Sequence, residues 1–308
     1  MRNISIIRYG DGELANQIWN YVSIYAFGLE TKSIVSNPSF YEYHSSFKLL
    51  KKEDILIRLL SKLFENNNKR KNSFLKQFCR KFYKLYSILA IKLAKGELIS
   101  SESVENKTIY LPPSHNSITI NQSGIEKLYF SGWLFRNPIG LEKYRREITI
   151  AFSPNDKITN RVHEIIKVLS AKYEKIVGVH IRQGDYKTFK GGRYFVDQSR
   201  MNEIIEQYIE SNNLEKEKIG FLITSDGPID TNKFNNLNIY VSKENPITDL
   251  FLLSATDTVI GSDSTFGDFA AWYGNIPHII ATNDDVDWNY YNSRNKFFEN
   301  RYCTMVHY

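Results

Sequence analysis

The most informative segment of the sequence is Val179-His180-Ile181-Arg182-Gln183-Gly184-Asp185-Tyr186. An apolar run ends at Ile181 and charged side chains follow, which is typical of a buried parallel strand that reaches the edge of its sheet. Ligands of open α/β sheets bind at this carboxyl edge. Arg182 suits a diphosphate because its planar guanidinium can donate two hydrogen bonds to phosphate oxygens, and Asp185 can hold the arginine or its loop in place. An ordinary ion pair in a strand-to-turn connection explains the same residues equally well.

Helices and strands alternate on both sides of this stretch. We predict helices at 157–169, 201–211, 249–255 and from 266, and strands at 176–181, 219–224, 239–241, 258–260 and 278–281. This alternation predicts a parallel, doubly wound sheet.

A second strand–turn–helix pattern opens the chain. Residues 4–7 predict a strand, residues 10–12 form a glycine turn, and apolar side chains between 18 and 26 recur at helical spacing. The pattern is the first half of a Rossmann-type unit. We therefore predict an α/β fold with two Rossmann-type domains facing a central crevice. The domains are predicted to comprise residues 1–152 and 153–308, because Pro154 interrupts regular structure before a new helix.

A helical, basic insertion is predicted near 47–95. Its apolar stripe comprises Phe74, Phe78, Phe82, Leu85 and Leu89, and Lys76, Arg80 and Lys84 form another stripe. The apolar stripe either packs on its own domain or, through residues 74–95, makes a peripheral contact with an anionic membrane. Nucleic acid is not an expected partner, since no recognisable binding module is present.

Composition indicates a soluble globular protein. The 308 residues are 42% hydrophobic and 24% charged, with a net charge of +6. Cys79 and Cys303 are far apart, so we expect no disulfide framework. No apolar run is long enough to span a bilayer. A cytoplasmic location is predicted, with a peripheral position at the inner face of a membrane as the alternative.

Four segments, taken in order, resemble one enzyme family. The central motif His180-Ile181-Arg182-Gln183-Gly184-Asp185 resembles the H-x-R-x-G-D motif of the α-1,2-, α-1,6- and protein O-fucosyltransferase superfamily. The other three resemble segments of the α-1,2-fucosyltransferases and span residues 12–21, 224–226 and 261–272. Four residues depart from that pattern, namely Glu13, Ala15, Asp263 and Gly267.

The resemblance implies a GT-B fold and an inverting, metal-independent transfer of fucose. GDP-fucose would be the donor substrate, with no cofactor and no metal, and the acceptor would be a glycan hydroxyl. An α-1,2 linkage on a surface polysaccharide or oligosaccharide is expected. Residues 153–308 would hold the nucleotide sugar, and residues 1–152 would form the acceptor side.

The resemblance also implies roles for residues of the donor side. Arg182 would neutralise the diphosphate and His180 would help to shape that site. Ser264, Thr265 and Phe266 precede a helix, whose positive end suits phosphate; simple helix capping is the alternative. Asp226 could accept hydrogen bonds from a ribose or guanine, or be a plain Asp-Gly turn residue.

Three residues are candidates on the acceptor side. Asn16 matches a family position that faces the crevice. Asp11 and Glu13 are the nearby carboxylates that could act as general base on an acceptor hydroxyl, or they are solvated loop charges.

Two other functions fit parts of the sequence. The pattern Gly10-x-Gly12-x-x-Ala15, with Glu30 further on, resembles the fingerprint of NAD(P)-dependent oxidoreductases. However, Asp11 and Glu13 inside the pattern would repel a pyrophosphate. The departures in the opening motif motivate a third interpretation, a non-catalytic sugar-nucleotide or glycan-binding protein with the same fold.

Overall fold

The computed structural model describes residues 3–8, 13–48, 96–100, 108–111, 127–132 and 134–292, with nine further residues between 78 and 93. Asp11, Cys79, Cys303 and most of the predicted insertion lie outside the described residues. The chain divides into two compact units between Asn155 and Asp156.

The first unit is built on a parallel sheet. Its elements are β1 (Asn3–Arg8), α1 (Leu14–Glu30), β2 (Ile34–Ser36), β3 (Glu97–Ser100), β4 (Ile109–Tyr110), β5 (Lys127–Ser131), β6 (Phe135–Arg136), α2 (Pro138–Lys143) and α3 (Arg145–Ala151). The sheet order is β2-β1-β5-β3, and β4 pairs with β6 separately. All of these pairs are parallel. The strand and helix predicted at the start of the chain are therefore confirmed.

Aromatic packing holds the chain that follows β2. The ring of Phe152 lies edge-on to Tyr21 and Phe47, with centroids 4.9 and 6.0 Å away. Phe47 is buried and forms an antiparallel bridge with Pro154. Contacts with distant residues therefore hold Phe47 in an extended backbone, and residues 49–77, which continue into the predicted helical insertion, lie outside the described residues.

The insertion is described only at scattered positions. Phe78, Phe82, Leu85 and Leu89 are helical, and their exposures are 61, 48, 57 and 49%. These described members of the apolar stripe therefore leave about half of their surface exposed. Among the described residues, no helix is both long and apolar enough to cross a membrane.

The second unit is a five-stranded parallel sheet with helices between its strands. Its elements are α4 (Asp156–Ser170), β7 (Lys175–Ile181), α5 (Gln198–Ser211), β8 (Ile219–Ser225), β9 (Ile239–Val241), α6 (Pro246–Ser254), β10 (Thr258–Ser262), α7 (Thr265–Gly274), β11 (His278–Ala281) and α8 (Trp288–Asn292). The order is β11-β10-β7-β8-β9, and every pair is parallel. This confirms the α/β prediction.

The register of the central strands places three strand ends side by side. β7 lies at the centre of the sheet, where Val177, Val179 and Ile181 are fully buried in its core. Ile181 pairs with Ser225 of β8, and His180 pairs with Gly261 of β10. The residues that follow these strands therefore meet at one edge of the sheet.

Candidate functional site

Arg182 is the cation at this edge. Its Nη2 lies 2.7 Å from Asp185 Oδ1 and its Nη1 lies 3.1 Å from Asp226 Oδ2. The side chain is 28% exposed. Its backbone N–H donates to Ser262 Oγ at 3.2 Å, which ties the end of β7 to the end of β10. The guanidinium has further N–H donors for a ligand beyond the two that the carboxylates accept.

Asp226 organises the turn that follows Arg182. Its Oδ1 accepts the backbone N–H of Gln183 at 2.7 Å and that of Gly184 at 3.3 Å. A Cβ at Gly184 would lie 2.7 Å from Asp226 Oδ2, so glycine allows the carboxylate to approach. These contacts agree with a structural role for Asp226, while the predicted hydrogen bonds to a ribose or guanine stay a prediction.

Gln183 anchors the same turn through its side chain, a role that its place in the sequence does not predict. Its side-chain Nε2 donates to Ser225 Oγ at 3.0 Å and to Pro228 O at 2.8 Å. Its Oε1 accepts from Gln198 at the start of α5, at 3.1 Å. The turn that presents Arg182 is therefore fixed to β8, to the 226–228 turn and to α5 before any ligand binds.

His180 is a buried, neutral ring beside this cation. It stacks on Phe266 with centroids 4.7 Å apart and planes 26° apart. Burial, and then the positive charge of Arg182, lower the pKa of His180 to about 3. Its Nδ1 lies 3.2 Å from Thr224 Oγ1, and its Nε2 has no hydrogen-bond partner within the described part of the chain. A neutral His180 can shape an anion site but cannot neutralise the anion.

The first turn of α7 lies next to Arg182. Ser264 is the N-cap, and its hydroxyl accepts the backbone N–H of Gly267 at 3.4 Å. Thr265 and Phe266 are the first two helical residues. The capping that the sequence offered as an alternative is therefore present. The helix dipole favours negative charge at this end of α7.

A buried pair supports this turn, and the sequence analysis missed it. Asp268 Oδ1 lies 3.0 Å from His278 Nδ1, and the two side chains are 1% and 3% exposed. A Cβ at Gly267 would lie 2.9 Å from His278 Nε2. The absence of a side chain at Gly267 thus lets the helix sit directly on the His278 ring.

The candidates of the first unit are only partly described. Glu13 is the exposed N-cap residue of α1, and the hydroxyl of Tyr43 donates to its Oε2 at 3.3 Å. Asn16 is half-buried in the first turn, and its Oδ1 has no hydrogen-bond partner among the described residues. Asp11 lies outside the described residues.

Glu30 does not lie where a dinucleotide site needs its acid. It is the last residue of α1, ahead of the amino end of β2, and its Oε2 accepts from the Asn137 amide at 2.9 Å. Ribose recognition in Rossmann-type units takes place at the carboxyl ends of the strands. The geometry therefore does not favour the oxidoreductase interpretation.

Together, the residues at the carboxyl edge of the second sheet have the chemistry that suits an anion. These features are the guanidinium of Arg182, the amino end of α7 and the stacked, uncharged rings of His180 and Phe266. Within the described residues, no three His, Cys, Asp or Glu side chains are grouped as they would be around a metal ion.

Solved structures of fucosyltransferases match most of the chain. An Arabidopsis thaliana fucosyltransferase, FUT1, was solved as a mutant in complex with GDP. It matches 91% of this chain and 70% of its own, with 12% identity and a TM-score of 0.52. The α-1,6-fucosyltransferase NodZ was solved from a crystal soaked with GDP-fucose. The match covers 91% of this chain and 95% of NodZ, with 14% identity and a TM-score of 0.51. The fucosyltransferase NodZ from Bradyrhizobium matches 91% of this chain and 94% of its own, with 13% identity and a TM-score of 0.50.

The chain has the fold of these fucosyltransferases. The GT-B type of α/β fold predicted from the sequence is thereby confirmed. No protein-family model matches the chain, and no curated protein matches it in sequence.

Proposed function

We propose that this protein is a glycosyltransferase that moves fucose from GDP-fucose to a glycan hydroxyl. The observation that carries the proposal is the position of Arg182, held between Asp185 and Asp226 beside the first turn of α7. The shared fold supports it, since one matching fucosyltransferase was solved with GDP and another was soaked with GDP-fucose.

The proposed reaction is a single displacement that inverts the anomeric carbon. The bond from that carbon to the acceptor oxygen forms as the bond to the β-phosphate oxygen breaks, and GDP leaves. The acceptor proton goes to a carboxylate, for which Glu13 and Asp11 are the candidates, with Asn16 on the acceptor side. Arg182 and the amino end of α7 stabilise the charge that develops on the diphosphate, which is why we propose that no metal is needed.

The finer assignments follow from the sequence motifs. In this proposal, residues 153–308 bind the donor through Arg182, His180, Asp226 and the turn at Ser264, Thr265 and Phe266. Residues 1–152 form the acceptor side and carry the candidate general base. An α-1,2 linkage on a surface polysaccharide or oligosaccharide is proposed from the resemblance of residues 12–21 and 261–272 to the α-1,2-fucosyltransferases.

The donor site is tested by calorimetric titration with GDP, GDP-fucose, GDP-mannose, UDP and NAD⁺ in EDTA. GDP and GDP-fucose should bind to the wild type, and binding should fall at least tenfold in Arg182→Ala. Arg161→Ala is the matched control, because Arg161 of α4 also lies between two carboxylates, those of Glu164 and Glu244. Binding of NAD⁺ alone, or equal GDP affinity in Arg182→Ala, would contradict the proposal.

Turnover is tested separately, because a non-catalytic relative would also bind the donor. GDP-fucose is incubated with a panel of glycans in EDTA, and the product is examined by NMR for its anomeric configuration and linkage. A β-linked donor that gives an α-linked product without metal is the expected result. A retained configuration, or activity that EDTA abolishes, would refute the corresponding part of the mechanism.

We also propose a peripheral contact between the predicted basic helix and an anionic membrane. The described apolar side chains of the stripe are exposed, and the described lysines among them include Lys81 and Lys92. Co-sedimentation with anionic vesicles should be lost in Phe78→Ser/Phe82→Ser and weakened by salt. Val168→Ser is the control, since Val168 of α4 is 54% exposed. Failure of the wild type to bind at low salt would remove this contact.

A further inference from the structure

The segment that follows Arg182 is a compact loop with an unusual surface, here called the aromatic loop (residues 184–195). It carries three rings that touch one another. Tyr186 stacks on Phe189 at 5.8 Å, and Tyr194 lies 6.2 Å from each of them. Phe189 is 45% exposed. A cluster of neighbouring rings at the surface, directly after the strand that carries the proposed donor site, has no role in the core.

The backbone of the aromatic loop is strongly constrained. Lys190, Gly191 and Gly192 have φ angles of 47°, 69° and 78°, so three consecutive residues are in the left-handed region. A Cβ at Gly192 would lie 3.0 Å from Lys187 O. Such a conformation is costly for a lysine and persists where the surroundings impose it, which is common at ligand-binding sites. The rings are therefore presented in a defined arrangement.

Two cations of the aromatic loop lie against these rings, and a third lies against the neighbouring ring of Phe195. Lys190 Nζ lies 5.8 Å from the centroid of Phe189 and 5.9 Å from that of Tyr194, and Arg193 Cζ lies 5.8 Å from Tyr194. Lys187 Nζ lies 5.8 Å from Phe195. Within the described part of the chain, these three cations form no ion pair with a carboxylate. Their charge is thus available to an anionic ligand.

The aromatic loop adjoins the proposed donor site but is offset from it. The Arg182 guanidinium lies 5.4 Å from the ring of Tyr186, whose hydroxyl donates to Asp263 O at 3.0 Å, just before α7. The Tyr186 ring thus contacts Arg182 and also contacts Phe189 and Tyr194, the rings beside Lys190. A ligand on those outer rings would lie next to the diphosphate without replacing it.

We propose that the aromatic loop binds an anionic saccharide, the acceptor of the proposed transfer, with sugar rings on Phe189 and Tyr194 and sugar carboxylates on Lys187, Lys190 and Arg193. The inference rests on the proposed function. The C–H face of a sugar is weakly positive and packs on the negative face of an aromatic ring. Lys190 and Arg193 share the ring of Tyr194, whereas Lys187 lies against the separate ring of Phe195. Two separate positions of positive charge fit carboxylates spaced along a sugar chain better than one phosphate group.

The test is a calorimetric titration of the full chain, saturated with GDP, with oligogalacturonate. Galacto-oligosaccharides of the same length, which carry no carboxylate, are the uncharged control. The oligogalacturonate should bind at least tenfold more tightly than the neutral sugar, and added salt should weaken it. Equal affinity for the two sugars would overturn the inference.

Variants of the aromatic loop separate charge from stacking. Asparagine at position 190 removes the charge and tolerates the left-handed backbone, so the loop should stay folded. The double variant Lys190→Asn/Arg193→Gln should therefore weaken oligogalacturonate binding about tenfold. Phe189→Ala should weaken it and Phe189→Tyr should restore it. Lys172→Ala is the control, because Lys172 is exposed and precedes the amino end of β7, at the opposite edge of the sheet. Wild-type affinity in the loop variants would contradict the proposal.

GDP affinity distinguishes this inference from the proposed function. Absence of GDP binding in the wild type would remove the proposed donor site, while saccharide binding can still be measured without GDP. A tenfold loss of GDP affinity in Phe189→Ala would assign the aromatic loop to the nucleotide and overturn the inference. The chain could instead bind phosphatidylglycerol vesicles, lose that binding in Lys190→Asn, and fail to bind oligogalacturonate. That result would assign the aromatic loop to a membrane and would also overturn the inference.

Discussion

The guanidinium of Arg182 lies 3.1 Å from Asp226 Oδ2, and the other oxygen of Asp226 accepts the backbone N–H of the next residue, Gln183, at 2.7 Å. One carboxylate thus fixes both the side chain of the arginine and the turn that presents it. Asp185 contacts the same guanidinium but is 61% exposed, against 16% for Asp226. The two acids should therefore respond differently to mutation.

We expect Asp185→Asn to raise the affinity for GDP. The exposed ion pair is worth about 0–1 kcal/mol, so a diphosphate can displace it, and the lost negative charge removes a repulsion. Calorimetry at low ionic strength should show a rise of about two- to fivefold that shrinks as salt is added. A tenfold loss of affinity would mean instead that Asp185 is needed to hold Arg182 in place.

Asp226→Ala should lower both stability and GDP affinity. It leaves the backbone N–H groups of Gln183 and Gly184 without their acceptor, which costs about 1–3 kcal/mol of unfolding free energy. Asp226→Asn keeps an oxygen for those groups and should be less destabilising in urea. Equal stability of Asp226→Ala and the wild type would contradict the structural role.

Much of the second sheet could be predicted because its strands are short apolar runs bounded by polar turns. The core strand 176–181 and its neighbours were found in this way, and Ser264 was recognised as a possible cap from its place before a helix. The charged residues after Ile181 were placed at the carboxyl edge by the same rule.

The failures come from contacts between residues that are distant in sequence. Phe47 stands at the approximate start of the predicted insertion, and its extended backbone depends on a bridge to Pro154 that no local pattern indicates. Asp268 and His278 lie on different elements, and nothing local marks them as partners. Gln183 lies inside the motif, but its anchoring role depends on Pro228 O and Gln198, which only the fold brings close.

His180 should make stability dependent on pH. Its pKa is about 3 in the folded chain and about 6.5 in an unfolded one, so below pH 6.5 the unfolded chain binds a proton that the folded chain does not. Stability is therefore fully present above pH 6.5 and declines as pH falls towards 3, by at most about 1.4 kcal/mol per pH unit.

Urea unfolding at several pH values between 4 and 7 measures this effect. His180→Gln should flatten the profile, because glutamine does not titrate. The exposed His163→Gln on α4 is the matched control and should keep the wild-type profile. An unchanged profile in His180→Gln would show that other groups cause the acid sensitivity.

Substitutions at Ser264 and Thr265 should distinguish the role of the first turn in helix capping from its role in phosphate binding. Ser264→Ala removes the cap on Gly267 and should lower the unfolding free energy by about 0.5–2 kcal/mol. Thr265→Val preserves that cap and the shape of the residue, and it should lower GDP affinity several-fold. If Thr265→Val leaves GDP affinity unchanged, its hydroxyl does not bind phosphate, and the first turn acts through backbone groups alone.

The buried pair of Asp268 and His278 should prove strongly coupled. Removal of either partner leaves a polar group buried at 1% or 3% exposure, so each alanine variant should lose about 3 kcal/mol or more of unfolding free energy. Because both variants break the same contact, the double variant should lose less than the sum, by about 1–3 kcal/mol. The exposed pair of Arg161 and Glu164 should give a coupling below about 1 kcal/mol in the same cycle. Additive losses at Asp268 and His278 would show that the two side chains stabilise α7 independently, and the support for its first turn would then have to come from elsewhere in the sheet.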